Sequence, residues 1–354
     1  MIHLDRYAYF PMLRTRQAEL KGLEQLRPEQ RQAMLPMLTL GRWPKATDFS
    51  KGADKAAQVM AEAPYCLDLT QDITHLPDVQ QRLRSPHQGF KAWRDFINRW
   101  PRALPVLQSH PEASLRDWLQ QARGLEQQAG QLAFRITDFE HHPPLVIQAL
   151  SAMDNPARAL VFIDAQYIRA ALPTYVQATL LVINQLRSAF PALLIVVSST
   201  SFPASVLPFA DPSQSTGTID ILERELHARI GGHAVAGYGD HGSIHSVVYD
   251  ESSSMRWAAR VDYPGELSWD FARSPKDQSR QGYITAAQAI AASDPTLGTR
   301  GLWGEDMILQ AAQGHPHGVA PVSWIAVRVN LHLARQLSLS QRLVQAADQA
   351  DDDE

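Results

Sequence analysis

Short apolar runs alternate with stretches of helical hydrophobic spacing along most of the chain, and this alternation limits its fold more than any other feature. Eight runs are strand candidates, at residues 7–13, 35–40, 65–69, 103–107, 132–136, 159–163, 193–197 and 234–237. After the sixth run, Leu172, Val176 and Leu180 line one face of a helix. Strands that alternate with helices form parallel sheets. We therefore predict an α/β fold, and eight units favour a TIM-like (β/α)8 barrel.

The domain organisation follows from the same pattern. A chain of 354 residues fits one α/β barrel domain, which we place at residues 1–340. Pro264 and Gly265 separate two runs typical of a hairpin, so we expect a hairpin insertion at about 255–275 and a helical C-terminal elaboration. The acidic end, 341–354, predicts a disordered tail. An open doubly wound sheet is the alternative, but no Gly-x-Gly-x-x-Gly motif follows the first run.

Charge and composition exclude several classes of function. The net charge is −4, and five of the 37 acids lie at the C-terminal end, so the rest has 33 basic and 32 acidic residues. This near-neutral body does not indicate nucleic-acid binding. A single cysteine, Cys66, allows no disulfide within the chain. No signal peptide opens the sequence and no apolar run approaches about 20 residues, so we expect no membrane segment and a cytoplasmic location.

The first two strand candidates carry a recognisable motif order. The segment YFPMLRTRQAEL is followed by LRPEQRQAMLPMLTL, with Pro11, Leu13, Glu19, Pro36 and Leu38 at characteristic positions. Together with SSTSFP at 198–203 and Tyr-Gly-Asp at 238–240, these segments resemble the beta protein family, whose members occur in bacteriophage T4, bacteria and mobile elements. The resemblance spans nearly the whole chain and implies a shared architecture but no defined activity.

One departure from the family pattern affects chemistry. The family typically has two lysines in its opening motif, where this chain has Arg14 and Arg16. A guanidinium stays protonated, so these residues are not suited to amine-nucleophile or Schiff-base chemistry. They keep the positive charge that an anionic ligand would need.

Polar side chains follow the predicted strands where side chains of a parallel sheet converge. The acids suit acid/base or cation-binding roles, and the arginines suit a phosphate or carboxylate. The candidate catalytic residues are Asp68, Asp138, Asp164 and Asp240. The candidate substrate-binding residues are Arg14, Arg16, Glu19, Arg135 and Ser199. We predict an intracellular hydrolase for a phosphate-bearing or anionic substrate, with a divalent cation as a possible cofactor and metal ligands unknown.

Structural interpretations of these residues stay open. Asp138 and Asp164 suit helix N-caps, and Arg14 suits a pair with Glu19. The spacing of His241 and His245 is a weak zinc signal in a Gly/Ser-rich loop. The alternative function is a non-catalytic binding or interaction protein of a phage or phage-defence module, with a protein partner instead of a small anionic ligand.

Overall fold

The computed structural model describes residues 2–72, 76–211, 215–246, 258–274 and 280–352. Within these residues the chain forms eleven strands and twelve α-helices, and the strands lie in three sheets. Side chains at positions 348 and 350–352 are outside the description.

The first sheet is parallel and takes its strands in chain order. They are β1 (Met12–Arg14), β2 (Met37–Leu40), β3 (Tyr65–Leu69) and β4 (Ala103–Pro105). The helices around them are α1 (Gln17–Glu24), α2 (Pro28–Gln32), α3 (Ser50–Met60), α4 (Pro77–Leu83) and α5 (His87–Ile97). All five residues of β3 are buried, as expected for a parallel strand covered on both faces.

The second sheet is also parallel. Its strands are β5 (Leu132–Ile136), β6 (Ala159–Tyr167), β7 (Leu194–Thr200) and β9 (Gly237–Tyr238). Its helices are α6 (Leu115–Ala129), α7 (His142–Ser151), α8 (Leu172–Ala189) and α9 (Leu222–Arg229). A capping box between Ser114 and Asp117 fixes the start of α6, since the two side chains satisfy backbone N–H groups that the helix leaves open.

The third sheet is antiparallel, in the order β10, β11, β8. Its strands are β8 (Thr216–Asp220), β10 (Ala259–Pro264) and β11 (Ser268–Ser274). β10 and β11 form a hairpin around Gly265, whose N–H donates to the Ser268 carbonyl at 2.7 Å. Residues 255–257, where the predicted hairpin begins, lie outside the described residues.

The prediction of one (β/α)8 barrel is wrong, because the strands form three separate sheets of four, three and four strands. Among the described residues, the strand pairing between the two parallel sheets consists of isolated bridges, Tyr9 with Tyr238 and Val106 with Ala133. At the second bridge, Leu107 donates to the Ala133 carbonyl at 2.8 Å. Pro105, two residues earlier, has no N–H with which to extend that ladder.

Both isolated bridges are parallel, so the carboxyl ends of the two sheets lie on the same side. The bridge between Tyr9 and Tyr238 involves β9, which is only two residues long. A strand this short supplies few hydrogen bonds, so its pairing with the chain around Tyr9 does not extend into a ladder. This shared side carries the candidate site.

Three helices complete the chain: α10 (Arg280–Ser293), α11 (Trp303–Ala312) and α12 (Pro321–Asp352). Helix α12 crosses α1 closely at Gly22, where a Cβ would lie 2.8 Å from the Ala326 carbonyl oxygen. It continues to Asp352, so much of the predicted disordered tail is helical. The division into a 1–340 domain and a tail stays a prediction. None of the helices in the described part of the chain combines the length and apolarity needed to cross a membrane.

Candidate active site

A cleft of about 410 Å³ opens where the carboxyl ends of the strands meet. Backbone and side chains of both parallel sheets line it, together with the loop after β9. Its lining residues are Met12, Leu13, Arg14, Glu19, Thr39, Thr70, Gln71, Asp72, Arg135, Thr137, Gln166, His241, Ile244, His245 and Ser246. Three of the predicted site residues, Arg14, Glu19 and Arg135, are among them.

Arg135 is held between two buried carboxylates. Its Nη1 lies 2.8 Å from Asp68 Oδ2, and its Nη2 lies 2.7 Å from Asp164 Oδ2. Arg135 lies on β5 and Asp164 on the neighbouring strand β6, whereas Asp68 lies on β3 of the other parallel sheet. Burial lowers the pKa of Arg135, but the two carboxylates raise it by more. The net effect is a pKa above the usual arginine value. The guanidinium is therefore a permanent, oriented cation at the floor of the cleft.

Asp68 and Asp164 lie behind the guanidinium and outside the cleft lining. Asp68 also accepts a hydrogen bond from Gln108 Nε2 at 2.9 Å. Burial raises the pKa of Asp164, but the opposing effect of His241 and Arg135 is larger. The pKa of Asp164 therefore lies well below its usual range. A carboxylate with these partners is an orienting group, so the acid/base role assigned to both residues stays a prediction.

Arg14 and Glu19 form the opposite wall. Arg14 Nη2 donates to the carbonyls of His245, at 3.3 Å, and Ser246. Glu19 Oε2 accepts the backbone N–H of Arg14 at 2.5 Å. Glu19 therefore bonds to the main chain of Arg14 and not to the Arg14 guanidinium. Burial raises the pKa of Glu19, and the charges of Arg14 and Arg16 oppose this rise. Glu19 is thus a cleft carboxyl that holds its proton to higher pH than usual.

The loop after β9 contributes two histidines that the sequence marked only as a weak zinc signal. His241 Nε2 lies 2.8 Å from Asp164 Oδ1. The His245 ring packs on Tyr167, with centroids 4.6 Å apart. Burial, followed by the charges of Arg14 and His241, lowers the pKa of His245. The available sequence signal was their position after the last parallel strand.

Asp138, Ser199 and Arg16 are not part of the cleft lining. Asp138 Oδ1 accepts the N–H groups of Glu140 and His141 at 3.0 and 2.9 Å, which forms the turn before α7. The N-cap residue of α7 is His141 and not Asp138. Ser199 is buried, and its carbonyl accepts the His241 N–H at 3.2 Å. Arg16 is the N-cap residue of α1, without a side-chain cap hydrogen bond.

Asp240 belongs to a second, fully buried network. Its Oδ1 accepts the Tyr9 hydroxyl and the Gly242 N–H, both at 2.8 Å. Its Oδ2 lies 3.0 Å from His332 Nε2, and Trp269 Nε1 donates to His332 Nδ1 at 3.2 Å. Burial raises the pKa of Asp240, but contact with His332 lowers it more, to about 2. Asp240 therefore joins β9, the hairpin and α12 without lining the cleft.

The described residues contain no group of three His, Cys, Asp or Glu side chains placed to hold a metal ion. The acids suggested as cation ligands contact arginine or histidine instead. Their geometry fits an anion-binding cleft, with positive groups at its surface and carboxylates behind them.

We expect the free energy of unfolding to fall as the pH drops below about 4. A carboxyl group whose pKa is lower in the folded chain stabilises the fold at pH values above its unfolded pKa, which is near 3.8 for Asp240. This stabilisation is lost as the pH falls towards the folded pKa of about 2. Asp240 contributes about 2 kcal/mol by this linkage. Urea unfolding of wild type and Asp240→Asn between about pH 6 and pH 2 measures this contribution. If the free energy of unfolding of the variant fell with pH as steeply as that of the wild type, the assignment to Asp240 would be wrong.

Comparison with known proteins agrees with the motif order of the sequence. A family model described as Beta protein matches residues 9–338. The chain belongs to the Beta protein family. It is 42% identical over 353 residues to Protein beta of Enterobacteria phage P4, with 99% of each chain covered. The resemblance expected from the opening motifs is confirmed.

Proposed function

We propose that this Beta family protein binds a phosphate-bearing or otherwise anionic substrate in the strand-end cleft and hydrolyses it. One observation carries the proposal: two guanidinium-bearing residues, Arg14 and Arg135, line one cleft, and Arg135 is fixed by buried carboxylates. A pre-oriented guanidinium binds phosphate or carboxylate oxygens without losing side-chain freedom on binding.

The charges in and behind the cleft limit how much negative charge a ligand can carry there. Asp68 and Asp164 carry two negative charges against the single charge of Arg135. The cleft lining adds Arg14, His241 and His245 as basic groups and Glu19 and Asp72 as carboxyl groups. This balance favours a ligand of low negative charge over a polyanion, because the carboxylates behind Arg135 partly cancel its field.

Binding of inorganic phosphate tests the anchoring roles. We expect Arg135→Lys to weaken binding about tenfold or more, because an ammonium cannot replace the oriented fork. Arg14→Gln removes one positive charge and should weaken binding by a similar factor. Titration calorimetry gives the affinities, with Arg123→Gln on the exposed surface of α6 as the matched control.

Two results would reject the anchoring roles. One is that the folded wild type does not bind phosphate. The other is that both cleft variants bind as tightly as Arg123→Gln. Phosphate binding without hydrolysis of any ester would instead favour the alternative of a non-catalytic binding protein that uses the same cleft.

A further inference from the structure

We propose that His241 is the proton-carrying residue of the cleft and that Asp164 sets its orientation and tautomer. The proposal rests on the proposed function, since it names the acid–base group of the same site. His241 lines the cleft, and the residue is 8% exposed. It lies three residues after the end of β9, and its N–H donates to the carbonyl of Ser199 on β7, so the parallel sheet holds its backbone at the mouth of the cleft.

The contacts of the ring distinguish its two nitrogens. Nε2 lies 2.8 Å from Asp164 Oδ1, and the structure shows no hydrogen bond for Nδ1 to any residue that it describes. Asp164 stays a carboxylate at neutral pH, because His241 and Arg135 hold its pKa low against the effect of burial. A carboxylate only accepts hydrogen bonds, so the neutral ring carries its hydrogen on Nε2. The lone pair of Nδ1 is then free for a proton from the cleft.

Asp164 joins this ring to the anion anchor. Its Oδ1 contacts His241, and its Oδ2 accepts from Arg135 Nε and Nη2 at 3.1 and 2.7 Å. One buried carboxylate therefore fixes the distance between the proton carrier and the guanidinium. Asp164 acts as a positioning residue, and its contribution passes through both partners.

Charged and titratable groups from several elements surround the ring. Asp164 on β6 contacts it directly, and Arg135 on β5 and Arg14 on β1 line the same cleft. His245 on the same loop is also part of the lining. The lining also contains two carboxyl groups: Glu19 on α1 and Asp72 after β3.

Hydrolysis of a phosphate ester then proceeds with water as the second reactant. Nδ1 of His241 takes one proton from a water molecule as the water oxygen forms its bond to phosphorus. The bond from phosphorus to the ester oxygen breaks, and its electron pair stays on that oxygen. His241 returns its proton to the leaving alcohol, so no net proton is gained or lost.

Nitrogen-15 NMR of the histidine rings tests the assignment without a known substrate. In the intact protein, we expect neutral His241 to carry hydrogen on Nε2 and to take up its second proton at Nδ1. Inorganic phosphate should shift the Nδ1 resonance. His241→Gln assigns the signal, and His87→Gln, at an exposed position, is the matched control.

Kinetics separate a proton carrier from a merely structural residue. With para-nitrophenyl phosphate and bis(para-nitrophenyl) phosphate as probes, His241→Gln should lower kcat about 100-fold or more. Its KM and its affinity for inorganic phosphate should change little, because Arg14 and Arg135 remain. Asp164→Asn should lower kcat less and change the pH profile, since an amide can present its N–H to Nε2 and invert the tautomer.

The outcomes are distinguishable. Hydrogen on Nδ1 of the neutral ring, or a phosphate-bound protein with an unshifted His241 resonance, would overturn the proposal. Equal kcat for His241→Gln and His87→Gln would do the same. If wild type hydrolyses neither probe, the hydrolase function fails for both ester classes, and the NMR result still decides the role of His241.

Discussion

Asp164→Ala should lower the free energy of unfolding by about 3 to 5 kcal/mol. The substitution leaves the partly buried Arg135 with Asp68 as its remaining carboxylate and removes the acceptor for His241 Nε2. A largely desolvated cation that loses one of two carboxylates keeps its desolvation cost and loses much of the attraction that offsets it. Chemical denaturation at neutral pH measures the change, with Asp5→Ala at an exposed position as the control.

The isosteric change gives a sharper comparison. Asp164→Asn keeps the shape and one acceptor oxygen, so we expect a smaller loss than for Asp164→Ala. If Asp164→Ala proved as stable as Asp5→Ala, the geometry that fixes Arg135 and His241 would be wrong, together with the site derived from it. The size of the loss therefore tests the structure of the cleft independently of any ligand.

His332→Ala should destabilise the fold by a similar amount, about 3 to 5 kcal/mol. His332 is fully buried, accepts from Trp269 and contacts Asp240 at 3.0 Å. Its removal leaves a cavity beside the stacked Trp269 ring and a buried carboxylate that keeps only the Tyr9 hydroxyl and a backbone N–H. The comparison variant is His87→Ala.

A double-mutant cycle assigns the energy to the contact itself. We expect His332→Ala and Asp240→Asn to show a coupling energy of about 1 to 3 kcal/mol. Phosphate affinity of the folded variants should stay at the wild-type value, because neither residue lines the cleft. Additive effects, or a selective loss of phosphate binding, would contradict the structural role of Asp240 and restore it as a candidate for the chemistry.

The apolar runs predicted several strands closely, because burial on both faces leaves a continuous hydrophobic signal. The runs at 65–69 and 132–136 coincide with β3 and β5. The strand β8, with the sequence TGTID, has no such run and was missed, since one antiparallel strand with polar faces resembles a loop. The run at 234–237 overlaps a two-residue strand that begins only at Gly237.

The sequence could place Arg135, Asp68 and Asp164 at one end of the sheets, because parallel strands end on the same side. It could not show that the two acids would turn towards the arginine and away from the cleft, since that depends on register between strands far apart in the chain. The contact of Asp240 with His332 also crosses 92 positions without a local motif. The prediction of a closed barrel was wrong in part for local reasons, since Pro105 has no N–H to extend the pairing at Val106 and Ala133 and β9 has only two residues.

The network around Asp240 joins residues from both ends of the chain, because Tyr9 precedes the first strand and His332 lies in the last helix. Gly22 and Ala326 add a second contact between the same two regions. During synthesis, the segment around Tyr9 therefore reaches its final packing only after α12 has left the ribosome. Nascent or prematurely terminated chains that lack α12 would expose this apolar opening segment, which makes them natural clients for chaperones and targets for proteolysis.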